Sequence, residues 1–400
     1  MQYRFETLAA AEAAAAPAPA LRPRLDGIDF LRGLVMAIMV LDHARDFLGG
    51  SSMNPRDVHD AGLFLTRWIT HFCAPIFVFL AGVSAFLYGS RGRTKAEVAR
   101  FLLSRGLWLM LIEITVVRFA WTFNLAYDFV FMQVIWAIGC AMIALAALIY
   151  LPRWAIATFA LTMILGHNLL DGIQASDSWR WLWVMTHAPG SLRPTPDVEI
   201  MAIYPLIPWV AVMAAGYALA PVFLQPEAQR QRTLLKVGLI VTAGFIVLRA
   251  TNLYGDPAPW TLQDGLVPTL LSFINCEKYP PSLLYLAMTI GPGLILLGLF
   301  QAARSGLARA IVAIGRVPFL FYVAHIALLH AMAVVVAQLT VDDIGWLFRH
   351  MPAFNKPEGY GVSLAGVYAL WIVALALLYP MCRWFGELKQ RRKDWWLSYL

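Results

Sequence analysis

His43 lies between two carboxylates in the stretch "VLDHARDF", with Asp42 just before it and Asp46 three residues on. A histidine beside a carboxylate suits general-base work, because the carboxylate fixes the ring tautomer and supports the imidazolium once a proton is taken. Arg32 stands eleven residues upstream, and a buried guanidinium suits a phosphate or carboxylate group. Together these residues fit a reaction between an anionic donor reaching in from one side and an acceptor arriving from the other. A proton-coupled small-molecule transporter would use the same groups, and residue types alone do not separate the two.

One helix must position them. Ile28 to Phe47 is otherwise apolar and long enough to cross a bilayer. At ~100° per residue, Asp29, Arg32, His43 and Asp46 fall within an arc of about 100°, with Asp42 just beside it and Arg45 pointing elsewhere. Charged groups are costly in a spanning helix and turn towards the bundle interior, so the stripe predicts an internal functional site. Arg32 and His43 are expected roughly 16 Å apart along the axis.

The rest of the chain reads as more of the same bundle. Of 400 residues, 60% are hydrophobic and 14% charged, against about 25% charged in soluble domains. The pattern predicts an all-α, polytopic transmembrane helix bundle with ten spans, near 29–48, 62–89, 100–118, 129–150, 154–171, 200–224, 234–250, 282–300, 308–337 and 361–384. The second and ninth are long enough to tilt or kink. Segment 262–275 is apolar but short and holds Pro268; it reads as a re-entrant or surface helix, and crossing would make it an eleventh span.

Of the 31 Lys and Arg, twenty fall at one set of helix ends, ten at the other, and Arg32 within the first span. Positive residues stay cytoplasmic, so both termini are expected in the cytoplasm. The net charge of +7 is then mainly a topology signal and implies no nucleic acid. Residues 1–25, with their Ala/Pro run, read as a flexible cytoplasmic tail lacking the pattern of a signal peptide. Residues 26–386 form the transmembrane domain, and 387–400 a basic, aromatic cytoplasmic tail. The four cysteines form no C-x-x-C pair, and neither a disulfide framework nor a metal is expected.

Other polar residues fall at the level of His43. His71 in the second span is placed to meet it. Glu113 and Arg118 in the third span, Asn124 before the fourth, His167 and Asn168 at the end of the fifth, and Arg249 at the end of the seventh are candidate acceptor contacts. They would line a cavity opening outward, although span ends are also where polar side chains snorkel. His325, in the ninth span, is a candidate lining of a substrate tunnel. His43 and His71 at one depth also suit a haem- or quinone-binding carrier.

A resemblance narrows these options. Arg32-x10-His43 has the spacing of the integral membrane acyltransferase-3 family. "IDFLRGLVMAIMVLDHARDF", "HFCAPIFVFLAGVSAFLYG", "ILGHNLLD", "LRATNLYGDPAPW", "KYPPSLLYLAMTIGPGLILL" and "GRVPFLFYVAHIALLH", in that order, resemble bacterial relatives of heparan-α-glucosaminide N-acetyltransferase. The resemblance covers residues 26–335. It implies a membrane-bound acyltransferase of the bacterial inner membrane, with acetyl-CoA as co-substrate. The acetyl group would pass to a hydroxyl or amine of an extracytoplasmic sugar or glycan.

Carried over residue by residue, the acyltransferase-3 pattern gives His43 as the catalytic histidine and Arg32 as its donor-side partner. In the heparan branch the catalytic histidine lies in the loop before the second span, which His59 in "RDVHDAG" matches with a gap, and an Asp falls where this chain has His71. The catalytic histidine therefore lies among His43, His71 and His59, in that order. Asp42 or Asp46 would orient it, and Arg105 and Arg316 would join Arg32 on the donor phosphates, with His325 beside the donor. Besides lipid and acceptor, a second copy in a homodimer is one partner to consider.

Overall fold

The computed structural model describes residues 26–300, 305–349, 352–392 and 394–398. The expected N-terminal tail lies outside them, as do parts of the C-terminal one.

The stripe-bearing segment forms α1 (Asp26–Leu48), of 23 residues. Asp60 caps α2 (Ala61–Thr70) by accepting from Leu63 N. An irregular turn at His71–Phe72, both residues still in the helical region, joins α2 to α3 (Cys73–Gly89), so the long second span is kinked. Thr94 and Glu97 form a capping box on α4 (Lys95–Ile112). A π-helical turn, Glu113–Val117, leads into α5 (Arg118–Thr122). After β1 (Phe129–Met132) come α6 (Val134–Leu148), α7 (Arg153–Gly166) and α8 (Arg180–Thr186).

β2 (Gly190–Thr195) and β3 (Val198–Ala202) precede α9 (Leu206–Leu219) and α10 (Glu227–Thr251). The short α11 (Leu266–Ile274) falls in the segment expected to be re-entrant. Then come α12 (Leu283–Leu299), α13 (Gly306–Gly315), α14 (Pro318–Thr340) and α15 (Leu364–Arg391).

The chain is mostly helical, yet the all-α expectation needs a correction. β1, β3 and β2 form a small sheet in that order, with β1 parallel and β2 antiparallel to β3. Short apolar strands such as "FVFM" look like the start of a span when periodicity is the guide. The predicted ninth span is likewise two helices: the chain turns at Arg316–Val317, and Pro318, which has no N–H to donate, opens α14.

Among the described residues, five helical stretches are long and apolar enough to cross a membrane: Ala61–Gly89, Leu206–Leu224, Glu227–Thr251, Pro318–Thr340 and Leu364–Arg391. Shorter apolar helices join them. Only 22% and 17% of the apolar windows in Glu227–Thr251 and Leu364–Arg391 are buried, so these two helices form the outer, lipid-facing layer.

The charged α1 is central. It packs against α13, α14, α15, α3, α2 and α12. Its crossing with α13 is a backbone-to-backbone contact: a β-carbon on Gly33 would strike the carbonyl oxygen of Ile311, and one on Gly315 that of Asp29. Small residues permit such close crossings in membranes. This one brings the last turn of α13 against the Arg32 end of α1.

Candidate active site

A cavity of about 880 Å³ runs beside α1, lined from Ile28 to Asp46 of that helix. Eighteen steps at ~1.5 Å make it roughly 27 Å long. Its two ends differ in charge. Arg32, Arg91, Arg105, Arg230, Arg316 and Lys389 line one end; Asp42, His43, Asp46 and Lys278 line the other. Between them the wall is mostly apolar, with Phe77, Leu109, Ile135, Ile138, Met142 and Phe319. The cavity thus extends from the level of His43 to the arginine-rich end.

The basic end is held in place by carboxylates and backbone. Arg32 meets Asp29 at 3.3 Å, Ser84 Oγ at 3.0 Å and the Gly315 carbonyl at 3.3 Å. Arg316 pairs with Asp26 at 3.3 Å and Asp29 at 3.9 Å. The α1–α13 crossing therefore sets two arginines side by side.

At the far end, Arg45 Nη2 is 2.6 Å from Asp42 and 2.8 Å from Asp46. Asp46 Oδ2 is 3.8 Å from His43 Nδ1, and Asp42 Oδ2 is 3.5 Å from Lys278 Nζ. The result is a cluster of close charges, Asp46–Arg45–Asp42–Lys278, with His43 beside Asp46 but its Nδ1 without a hydrogen-bond partner among the described residues. Arg45 was expected to point away from the stripe; it is buried and bridges both aspartates. Its long side chain curls back across the helix surface, which backbone angles alone do not capture.

The ring nearest in kind to His43 is His325, at 5.3 Å between centroids; Trp121 meets His43 edge-on at 5.1 Å. His325 Nδ1 donates to the Phe321 carbonyl, which leaves Nε2 as an acceptor with no hydrogen-bond partner among the described residues. His71 does not meet His43. It is buried beside Tyr285, and neither ring nitrogen has a hydrogen-bond partner among the described residues. His59 is exposed on the loop before α2, with its backbone N–H on Asp57. None of His59, His71 and His325 lines the cavity.

The six candidate acceptor contacts also lie off the cavity wall. Glu113 accepts the Gln133 N–H at the start of α6. Arg118 donates to the carbonyls of Phe129 and Asn124 and pairs with Asp128 at 3.6 Å. Asn124 donates to the Phe348 carbonyl. His167 donates to the Pro281 carbonyl at 2.8 Å, and Asn168 accepts the Leu283 N–H at 2.9 Å. Arg249 donates to the carbonyls of Ala258, Ser272, Phe273 and Asn275. In the structure these side chains hold loops and helix ends.

Arg91, Arg230, Lys389 and Lys278 are cavity residues that sequence reasoning passed over as topology signals. The only hint for Lys278 was its place in "KYPPS", a Pro-rich loop between apolar segments. Burial works against its charge, but Tyr279 and Asp42 outweigh that, so it stays an ammonium above the ordinary lysine range. At the same end of the bundle, burial pulls Lys356 down to about 8.

No curated protein matches the chain closely enough to count as a relative. The family model for heparan-alpha-glucosaminide N-acetyltransferase, catalytic, matches residues 24–249, which include Arg32, Asp42, His43, Asp46 and Arg105. Since that match takes in more than half of the 400 residues, this multi-pass membrane protein belongs to the heparan-alpha-glucosaminide N-acetyltransferase catalytic family.

Proposed function

We propose that the protein moves an acetyl group from acetyl-CoA to a hydroxyl or amine of an extracytoplasmic sugar or glycan. Family membership supports acetyl transfer. The observation that carries the finer reading is the polarity of the cavity. An arginine-rich end suits the phosphates of the donor, an apolar middle suits its pantetheine arm, and a histidine–carboxylate pair lies where the acyl group would arrive.

In this reading Arg32, Arg105 and Arg316 bind the donor phosphates. His43 takes the proton from the acceptor as its oxygen or nitrogen attacks the thioester carbonyl. Asp46 faces the imidazole and supports its positive charge, while Arg45 holds Asp46 and Asp42 in place. His71 and His59 act outside the reacting centre.

The bias of Lys and Arg supports ten spans, with both termini and the arginine-rich mouth on the cytoplasmic side of a bacterial inner membrane. The acceptor then comes from the other side. The test is His43→Ala: turnover should fall about 100-fold or more while the protein still inserts and purifies as a folded monodisperse species. Full activity in that variant would remove His43 from the chemistry.

A further inference from the structure

The segment 275–282, between α11 and α12, is held from several directions. Asp256 accepts the Glu277 N–H at 2.9 Å and the Ser282 hydroxyl at 2.7 Å. Arg249 fixes the Asn275 carbonyl at 3.0 Å, His167 fixes Pro281, and Asn168 fixes the N–H of Leu283. Buried polar groups in such number rigidify a segment. What the segment presents to the cavity is Tyr279 and the buried Lys278, and a lysine is almost never buried without a reason.

Pairing with Asp42 alone does not supply that reason, since Arg45 already sits 2.6 Å from the same carboxylate. The two cations occupy different positions. Arg45 is absent from the cavity wall, whereas Lys278 lines it at the end occupied by His43. With His43 neutral, the charges of Asp42, Asp46, Arg45 and Lys278 cancel. When His43 takes a proton, the cluster gains one positive charge, and an oxyanion formed on the substrate restores the balance. An ammonium carries three N–H donors, and Asp42 engages it from one side at 3.5 Å.

We propose that Lys278 is a further catalytic residue, the donor to the acyl oxygen during transfer. This rests on the acetyl-transfer reading above. The acceptor oxygen or nitrogen bonds to the thioester carbonyl carbon, and its proton passes to His43. The carbonyl π pair moves onto oxygen, where Lys278 donates a hydrogen bond to the oxyanion. Collapse restores the C=O bond and breaks C–S, and the departing thiolate takes the proton back from His43. Donors aimed at charge that develops in the transition state act on turnover more than on ground-state binding.

The test measures CoA thiol release from acetyl-CoA, with glucosamine as the acceptor probe, on purified full-length protein. Lys278→Met should lower kcat about 100-fold with the KM for acetyl-CoA held within roughly threefold; Lys278→Arg should recover part of the loss. The double variant Asp42→Asn/Lys278→Met removes both charges of the pair and guards against a folding defect. It should unfold at a temperature close to that of the wild type and remain as slow as Lys278→Met. Turnover of a folded variant within threefold of wild type, or a loss expressed wholly in KM, would overturn the assignment. A wild type that releases no thiol with glucosamine or with any of a panel of amino and hydroxyl sugars would remove the acetyl-transfer reading as well, whereas an active wild type with an equally active Lys278→Met removes the role of Lys278 alone.

Discussion

Asp46 faces His43 across one turn of α1, with 3.8 Å between Oδ2 and Nδ1, while its other oxygen is fixed at 2.8 Å by Arg45. The carboxylate is thus anchored on one side and available to the imidazole on the other. Asp46→Asn keeps the shape and removes the charge that supports a protonated ring. Turnover should drop roughly tenfold or more, with the KM for acetyl-CoA little changed. Unchanged turnover would show that the carboxylate serves folding alone.

Arg316 binds no part of the His43 cluster; it pairs with Asp26 and Asp29 at the opposite end of the cavity. If that end receives the donor phosphates, Arg316→Ala should raise the KM for acetyl-CoA about tenfold, the value of one charge-assisted contact, and leave kcat within about twofold. Steady-state kinetics over a range of acetyl-CoA concentrations distinguishes this from the reverse pattern, a lower kcat at unchanged KM, which would contradict the placement.

Arg249 is buried with four backbone carbonyls on its guanidinium and Asp256 at 3.7 Å. Replacing it with Met leaves those carbonyls and a buried carboxylate without their cation, at a cost of roughly 3–5 kcal/mol. Arg249→Met should unfold at a clearly lower temperature, and the amides of residues 275–282 should exchange faster. Wild-type stability combined with a raised acceptor KM would instead return Arg249 to a substrate-binding role.

Lys356 donates to the carbonyls of Arg45 and Gly49 at the C-terminal end of α1, and burial lowers its pKa from 10.5 to about 8. Below pH 8 the folded and unfolded chains both carry the proton. Between pH 8 and 10.5 the unfolded chain holds more, so stability rises with pH across that window and levels off above it. In detergent micelles, thermal unfolding of the wild type should gain on Lys356→Met between those two pH values. A gap that stays constant or shrinks there would contradict the shifted lysine.

The stripe on α1 was legible because a helix repeats every 3.6 residues, so Asp29, Arg32, His43 and Asp46 declare their shared face without any neighbour. Contacts that depend on how helices meet carry no such period. His325 comes beside His43 only because α14 packs on α1, and nothing in "YVAHIALLH" specifies that partner. Lys278 reaches the site through an irregular loop held by Arg249, Asp256, His167 and Asn168, which explains why Arg249, His167 and Asn168 looked like ligands when read by depth alone. The sheet stayed hidden because Phe129–Met132 and Val198–Ala202 are short runs that pair across about seventy residues of chain.

The most direct measurement is a density map of the full chain with acetyl-CoA bound. The phosphates should lie against Arg32, Arg105 and Arg316, with the thioester at the other end of the cavity, within hydrogen-bond reach of His43 through the acceptor's place. Phosphates at the Asp42–Lys278 end, or a thioester lying against His71 or His59, would contradict it.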